Sequence, residues 1–419
     1  MSAAPTPEAF PTPGRLPRLL AGLAADERPV SLAAHLRRHG PLHVPRDLAA
    51  VVEAAGLRGR GGAGFPTGRK LATVAAQRRR PIVVANAAEG EPASKKDKAL
   101  LRSNPHLVLD GISTAAAFLR AREAVIAISL EATEELARVD TAIAERRAHR
   151  IDPVAIRVAA VPEAFVSGEE SALLKAVAGK PAKPTLKPPY PFERGLDGRP
   201  TLVQNAETLA HLALIARFGS DWFREAGSTD APGTALVTLS GAFPRRGVHE
   251  IELGTTLSEL ATQAGGTTEP VSAYLVGGYF GGWVSAEEAA QLRLTPEVLG
   301  AGAIVAFPAS ACPFAESARV LRYLSDQSAG QCGPCVHGLA AVAGAVEGLT
   351  RGHSAGGREQ LRRWAGMIAG RGACRHPDGA VRFLASMLEV FPGELDRHAR
   401  HGRCNAEPVR VLPLPEPAR

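Results

Sequence analysis

Three short apolar runs dominate the first half of the chain: PIVVANA at 81–87, AVIAISL at 124–130 and IRVAAVP at 156–162. Each is rich in Val, Ile or Ala and ends in a polar loop. Helical patterns follow the second and third runs, EATEELARVDTAIAERRA and SALLKAVAG. Strands that alternate with helices point to a largely parallel sheet covered by those helices. This topology also limits where chemistry can sit, because ligands of such sheets bind in the loops at the carboxyl ends of the strands. Residues 1–228 are therefore expected to form an α/β domain, with helical pieces in the lead-in to about residue 50.

The character changes near residue 230. TALVTLSGAF and GVHEIEL read as two strands joined by a turn, TLSELATQAGG as a helix stopped by glycines, and VSAYLVGG as another strand. Strand, strand, helix, strand suggests a small β-grasp-like domain over 229–312. Residues 313–405 read as mostly helical, through ESARVLRYLSDQ, VHGLAAVAGAVEGL, REQLRRWAGMIAG and AVRFLASMLEVF, with a tail at 406–419.

With 419 residues the chain is long enough for three such units and a sizeable core. No apolar run is long enough to span a bilayer, and prolines in MSAAPTPEAFPTPGRLPRLL break up the place where a signal peptide needs apolar residues. A cytoplasmic protein is expected. The net charge of +7 is spread along the chain, and the cluster Arg78, Arg79, Arg80 reads as a solvated face. Aromatics make up only 5%, which argues against a nucleic-acid surface, while the mild positive charge suits an acidic partner such as a small ferredoxin. The five cysteines are odd in number and expected in a reducing compartment, so metal binding or burial accounts for them better than disulfides do.

Four segments carry candidate chemistry. GLRGRGGAGFPTGRK, 56–70, runs into a helix. Gly59, Gly61, Gly62 and Gly64 let backbone approach a ligand, a following helix N-terminus favours an anion, and Arg60 and Lys70 add positive charge. It lacks the G-K-[ST] of a P-loop. In NAAEGEPASKKDK, 86–98, Glu89 and Glu91 lie in a strand-end loop and suit ribose hydroxyls or an amide; a solvated charged loop fits as well. In FVSGEESALLK, 165–175, Glu169 and Glu170 suit a ligand or simply a helix N-terminus. In KPTLKPPYPFERGLDGRPTLVQNAETLAHL, 183–212, prolines stiffen a run that presents Tyr190 and Phe192, either to a flat ring or to the core.

In this order the segments resemble the NADH-quinone oxidoreductase (complex I) NuoF-type family, the flavin- and NADH-binding iron–sulfur subunits, whose relatives serve NAD-linked hydrogenases and formate dehydrogenases. GRGGAGFPTG is the most specific match, joined by GEESALL at 168–174, KPPYP at 187–191 and NAETL at 205–209. The resemblance implies FMN and NAD(H) in one cavity, an iron–sulfur cluster nearby, and an SLBB-type middle domain. It implies that Gly59, Arg60, Gly61, Gly62, Lys70, Asn86, Phe165, Gly168, Glu169, Gln204 and Asn205 surround FMN. Gly64 and Glu89 belong to the same cofactor-binding set. Phe65 and Tyr190 would stack on the adenine of NADH, and Glu91, Glu170 and Lys187 would hold the rest of the dinucleotide and serve turnover. A ferredoxin-like or other iron–sulfur protein would accept the electrons.

The chain departs from the family at several points. The usual N-A-D-E is Asn86-Ala87-Ala88-Glu89, K-W-S-F is Lys70-Leu71-Ala72-Thr73, and one of two adjacent asparagines is Gln204. The cluster motif S-C-G-x-C-x-P-C is matched by residues 328–335 except at its first cysteine, which is Ala329. Cys332, Cys335 and Cys374 remain as ligands of a [4Fe–4S] or [3Fe–4S] cluster. For the remaining iron of a four-iron cluster, water, a small thiol, His337, Cys312 and Cys404 are all open, with Cys312 and Cys404 read first as buried thiols. Two other readings compete: a degenerate binding or scaffold module without redox chemistry, and a thiol–disulfide enzyme using Cys332 and Cys335. The second is weakened because the pair lies between helices and not after a strand.

Overall fold

The computed structural model describes residues 8–9, 16–22, 29–351, 357–401, 406 and 409–415. Among them, ten strands form two sheets: β1 Glu8–Ala9, β2 Ile82–Ala87, β3 Glu123–Ser129, β4 Ile156–Val161, β5 Thr201–Asn205, β6 Thr234–Gly241, β7 Gly247–Glu252, β8 Val271–Val276, β9 Gly282–Ser285 and β10 Ala303–Pro308. The expected runs at 81–87, 124–130 and 156–162 are strands β2, β3 and β4. Strand β5, TLVQN, has three polar residues and lies outside the runs that read as strands.

The first sheet has the order β4-β3-β2-β5, and every pairing is parallel. The chain steps outward from β2 to β3 to β4, then returns to the other side of β2. The order therefore reverses beside β2, and the ends of β2 and β5 flank the crevice where ligands of open α/β sheets bind. Asn86 and Asn205 are paired across that boundary.

Helices Pro105–Phe118 and Ala206–Arg224 cover one face, so closely that any Cβ at Gly111 would lie 2.0 Å from the Leu209 carbonyl oxygen. Behind them is a buried ion knot. Asp110 accepts from His35 Nε2 at 2.7 Å and pairs with Arg146 at 2.7 Å and with Arg217. Burial opposes the charge of Asp110, but the His35 hydrogen bond and both arginines outweigh it and hold the carboxyl well below its usual value.

The second sheet has the order β1-β7-β6-β10-β8-β9. Two antiparallel hairpins, β6–β7 and β8–β9, flank β10, which runs parallel to β6 and antiparallel to β8. Helix Leu257–Gln263 has a capping box, with Thr256 and Glu259 satisfying each other's backbone donors. Strands β9 and β10, with the two-residue β1 on the edge beside β7, complete the sheet beyond the three expected strands.

The C-terminal region is helical: Pro313–Asp326, Ala340–Thr350, Gly357–Ile368, His376–Val390 and Pro392–His401. The last of these lies beyond the four expected helices. The expected helix from Val336 opens instead as a π-helical turn, Pro334–Leu339, a conformation found most often at functional sites. The Glu316 carboxylate accepts the amides of Val411 at 2.8 Å and Leu412 at 2.6 Å, which ties the chain end to this region. Among the described residues no helix is long and apolar enough to cross a membrane.

Candidate functional site

The loop 59–64 lies against the N-terminus of helix Ala206–Arg224, directly below the ends of β2 and β5. The amide of Arg60 donates to Thr208 Oγ1 at 2.8 Å, and a Cβ on Gly61 would sit 3.3 Å from the Asn205 Cβ. Gly62 and Gly64 have φ of +98° and +60°, values that L side chains rarely adopt. Gly59 donates to the Phe65 carbonyl at 2.9 Å and closes the loop on itself. The result is a backbone-lined cradle beside a helix N-terminus, the geometry that receives a phosphate.

Polar groups around the cradle are fixed by one another. Asn86 Nδ2 donates to the Gly168 carbonyl at 2.9 Å, and Asn86 Oδ1 accepts from Ala88 at 3.2 Å. Asn205 caps the helix through Glu207, at 3.0 Å, and donates to Asp97 at 2.6 Å. Lys96 is buried between Asp97 at 2.8 Å and Glu207 at 2.9 Å. Burial works against the Lys96 charge, but Asp97 and Glu207 more than offset it, so the ammonium is held protonated. Lys96, Asp97, Glu207 and Thr208 carry no signal of their own in the sequence, although all four stand inside the quoted segments.

Arg60 behaves differently from expectation. Its guanidinium is buried away from the loop, donating to the Thr234 carbonyl at 3.0 Å and lying 3.7 Å from Glu207. Its Nε and Nη1 have no hydrogen-bond partner among the described residues. Burial lowers its pKa and Glu207 works to restore it. The positive charge thus acts from behind the cradle, through the backbone that carries it.

The acidic residues divide by task. Glu89 accepts from Ser94 Oγ at 2.5 Å and from the amides of Asp97 and Lys98 at 3.2 and 3.3 Å, capping helix Lys96–Ser103. Burial, then the Asp97 charge, pushes its pKa up. Glu91 accepts from Tyr279 N at 2.8 Å and Ala93 N at 3.1 Å, so it joins the parallel-sheet domain to the turn after β8. Burial raises it to about 7 against the pull of those amides. Glu169 caps helix Glu170–Val177 and pairs with Lys187 at 2.9 Å, while Glu170 pairs with Lys70. Phe65 and Tyr190 are exposed, and Tyr190 stacks on Phe192 at 5.4 Å. Gln204 is buried on β5 opposite Ala85.

Phe165 connects this region to the cysteines. Its amide donates to Gln327 Oε1 at 3.0 Å, and its ring packs edge-on against Phe280 at 4.7 Å and His376 at 5.7 Å. Phe280 lies over Gly379, where a Cβ would be 2.2 Å from the ring. His376 follows Cys374 by two residues and is hydrogen-bonded to the Leu324 carbonyl at 2.7 Å. Nothing in the sequence pattern marks Phe280, Gln327 or His376, because their importance is purely one of tertiary contact.

Cys332, Cys335 and Cys374 are close enough to influence one another. Burial opposes ionisation of Cys332, but hydrogen bonds from the amides of Ala373 and Cys335 hold it below the ordinary thiol value. Burial, with Cys332 beside it, pushes Cys335 up to about 12. Burial raises Cys374 as well, and the Glu169 charge adds to it. Among the described residues no group of three or more His, Cys, Asp or Glu side chains is gathered tightly enough for a single metal ion. Spread thiolates suit a cluster, where each binds a different iron. Cys312 lies elsewhere, buried and 3.3 Å from His398 Nε2. Cys404 lies outside the described residues.

Comparison with known proteins agrees with this division. The model of the Nuo51 FMN-binding domain matches residues 52–214, and that of the NADH-ubiquinone oxidoreductase-F iron–sulfur binding region matches residues 315–398. The second F-type chain of the NADH-quinone oxidoreductase of Rhizobium meliloti is 32% identical, over 86% of this chain and 91% of the relative. The NADP-reducing hydrogenase subunit HndC of Solidesulfovibrio fructosivorans is 28% identical, over 88% of this chain and 79% of its own. Among solved structures, the NAD+-reducing [NiFe]-hydrogenase in the H2-reduced state superposes with a TM-score of 0.83 and 30% identity, covering 92% of this chain and 67% of that one.

Proposed function

The chain belongs to the NuoF-type family of NADH-quinone oxidoreductase chains, and from that premise we propose that it takes a hydride from NAD(P)H and delivers single electrons, through an iron–sulfur cluster, to an acidic iron–sulfur protein such as a ferredoxin. FMN, NADH and the cluster are the cofactors of the family's two domains. The residues present fit them. A glycine-lined backbone cradle beside a helix N-terminus suits the FMN phosphate, and three thiols close enough to influence one another suit a cluster. When bound, FMN supplies the exchange between two-electron hydride chemistry and single-electron transfer.

The chain's own residues do the rest. Gly59, Gly61, Gly62 and Gly64 admit the phosphate and ribityl chain against the helix that begins at Ala206. Asn86, Gly168, Gln204 and Asn205, at the strand ends, orient the flavin ring. Phe65 and Tyr190, exposed aromatic faces, stack on the dinucleotide's adenine. Lys187, held by Glu169, and Glu91 and Glu170 position the remainder. Phe165 excludes water between the cradle and Cys374. Exposed Arg362, Arg363, Arg371 and Arg375, near the cysteine loop, offer an acidic partner a positive rim. The boundaries 1–228, 229–312 and 313–405 are our division of the chain into the three working units, the middle one SLBB-type.

The observation that carries this reading is the 165–168 loop, whose Gly168 carbonyl accepts from Asn86 on the cradle side while the Phe165 amide and ring both contact the cysteine side, at Gln327 and His376. The test is flavin content. Gly61→Asp puts a Cβ 3.3 Å from the Asn205 Cβ and adds a negative charge to the cradle, and the purified variant should contain no FMN. Wild-type flavin content in that variant would remove residues 59–70 from the site.

A further inference from the structure

We propose that the cluster is held by three protein thiolates, Cys332, Cys335 and Cys374, and that its fourth iron is open to a small exogenous anion, a hydroxide or a low-molecular-weight thiolate. The inference rests on the reading that residues 313–401 carry a cluster, and it concerns what the remaining cysteines can reach.

The three cysteines lie at the C-terminal end of helix Pro313–Asp326. The amide of Ala373 points at the sulfur of Cys332, and His376, beside Cys374, is bonded to the carbonyl of Leu324 in the last turn of that helix. The position three residues before Cys332 is Ala329, half-buried, whose methyl group has no donor atom. The next residue, Gly330, has φ of +63° and nothing within 4 Å of the place a Cβ would occupy, so this side of the cysteine loop is open.

Cys312 is at the opposite end of the same helix, as its N-cap. Its sulfur accepts from Ala315 N at 3.3 Å and contacts His398 Nε2 at 3.3 Å. A 14-residue helix is about 21 Å long, which separates Cys312 from the cysteine loop. The described residues on either side of Cys404 are held near Cys312. His398, six residues before Cys404, is anchored beside Cys312, and Val411, seven residues after it, is anchored on Glu316, one turn from Cys312. Both tethers are at the end of the helix away from Cys332. Six or seven residues span at most roughly 21–25 Å when fully extended. Cys404 lies outside the described residues, and Cys404→Ala tests it directly. Because a [4Fe–4S] cluster takes one thiolate per iron, three thiolates leave one iron for solvent or a small thiol.

An iron without a protein thiolate leaves readily on oxidation. Ferricyanide takes one electron from the four-iron cluster, one ferrous ion departs, and a three-iron cluster remains. The test uses the full chain, reconstituted anaerobically, with iron, sulfide and electron paramagnetic resonance as readouts. With stoichiometric ferricyanide, iron should fall from about four to about three per chain and a [3Fe–4S] signal should appear. Ala329→Cys should keep all four irons under the same treatment, and Cys404→Ala and His337→Ala should behave as wild type. If Cys404→Ala or His337→Ala arrives with as little iron as Cys374→Ala, that residue is the fourth ligand and the inference fails. Wild type that retains four irons as firmly as Ala329→Cys overturns it equally. A reconstituted protein holding neither iron nor sulfide overturns the functional reading as well.

Discussion

The cradle and the cysteine loop are joined by one phenylalanine, yet they are built on opposite principles. At the cradle, recognition is spread over backbone geometry, a helix N-terminus, and polar side chains that fix each other: Asn86 on Gly168, Asn205 on Asp97, Lys96 between Asp97 and Glu207. No single side chain carries the site, so departures such as Ala88 and Gln204 leave its framework intact. At the cysteine loop each iron needs its own donor atom, and replacement of one side chain by a methyl group changes the stoichiometry of the site. Redundancy makes the first region tolerant, and one-to-one ligation makes the second brittle.

The largest expected effect breaks the second region alone. Cys374→Ala should reduce iron and sulfide to near background, since two thiolates cannot hold the cluster, while FMN stays at wild-type occupancy. Simultaneous loss of flavin would show that the two regions are one cooperative unit.

Next is Lys187→Ala. Lys187 is half-buried and held by Glu169 at 2.9 Å. A hydrogen bond to a charged group contributes about 1.5–3 kcal/mol, so NAD(P)H-dependent turnover with an artificial acceptor should fall by about one to two orders of magnitude. Steady-state kinetics identical to wild type would remove Lys187 from the dinucleotide site.

These two regions also differ in how far the sequence reveals them. The glycine run, the strand-end asparagines and the cysteine triad are legible because they depend on local pattern: backbone freedom, strand periodicity and ligand spacing. Strand β5 is hidden because its polar Gln204 and Asn205 serve the site and weaken the strand signature. The role of the Arg60 side chain differs from its sequence reading because its direction is set by Thr234 and Glu207, distant in the chain. The Phe165–Phe280–His376 contact joins residues more than 90 positions apart in the chain and has no local signature at all.

A smaller effect is expected from pH. Glu91 joins the two sheets through Tyr279 N, and its carboxyl is raised to about 7 from 4.5. The folded protein therefore binds more protons than the unfolded chain between those values. The sign follows: the contribution of Glu91 to stability is fully present below about pH 4.5 and is lost as pH rises through about 7. Thermal unfolding of Glu91→Gln, which mimics the neutral form, should lack this component, so wild type should lose a few degrees relative to the variant between pH 5 and 8. Parallel pH profiles would contradict a raised carboxyl.

The smallest effect tests the tolerance claimed for the cradle. Thr73 is exposed on helix Thr67–Ala75, on the segment that follows Lys70, where the family has an aromatic residue. The helix packs on the short helix Pro191–Arg194, which carries Phe192, so an aromatic ring here would widen the stacking surface without entering the cradle. One stacking contact is worth about 0.5–1.5 kcal/mol. Thr73→Phe should therefore lower KM for NAD(P)H by a few-fold and leave kcat, flavin content and cluster content unchanged. A change in kcat or in FMN occupancy would mean that position 73 is coupled to the flavin, and that the cradle is less redundant than its hydrogen-bond network implies.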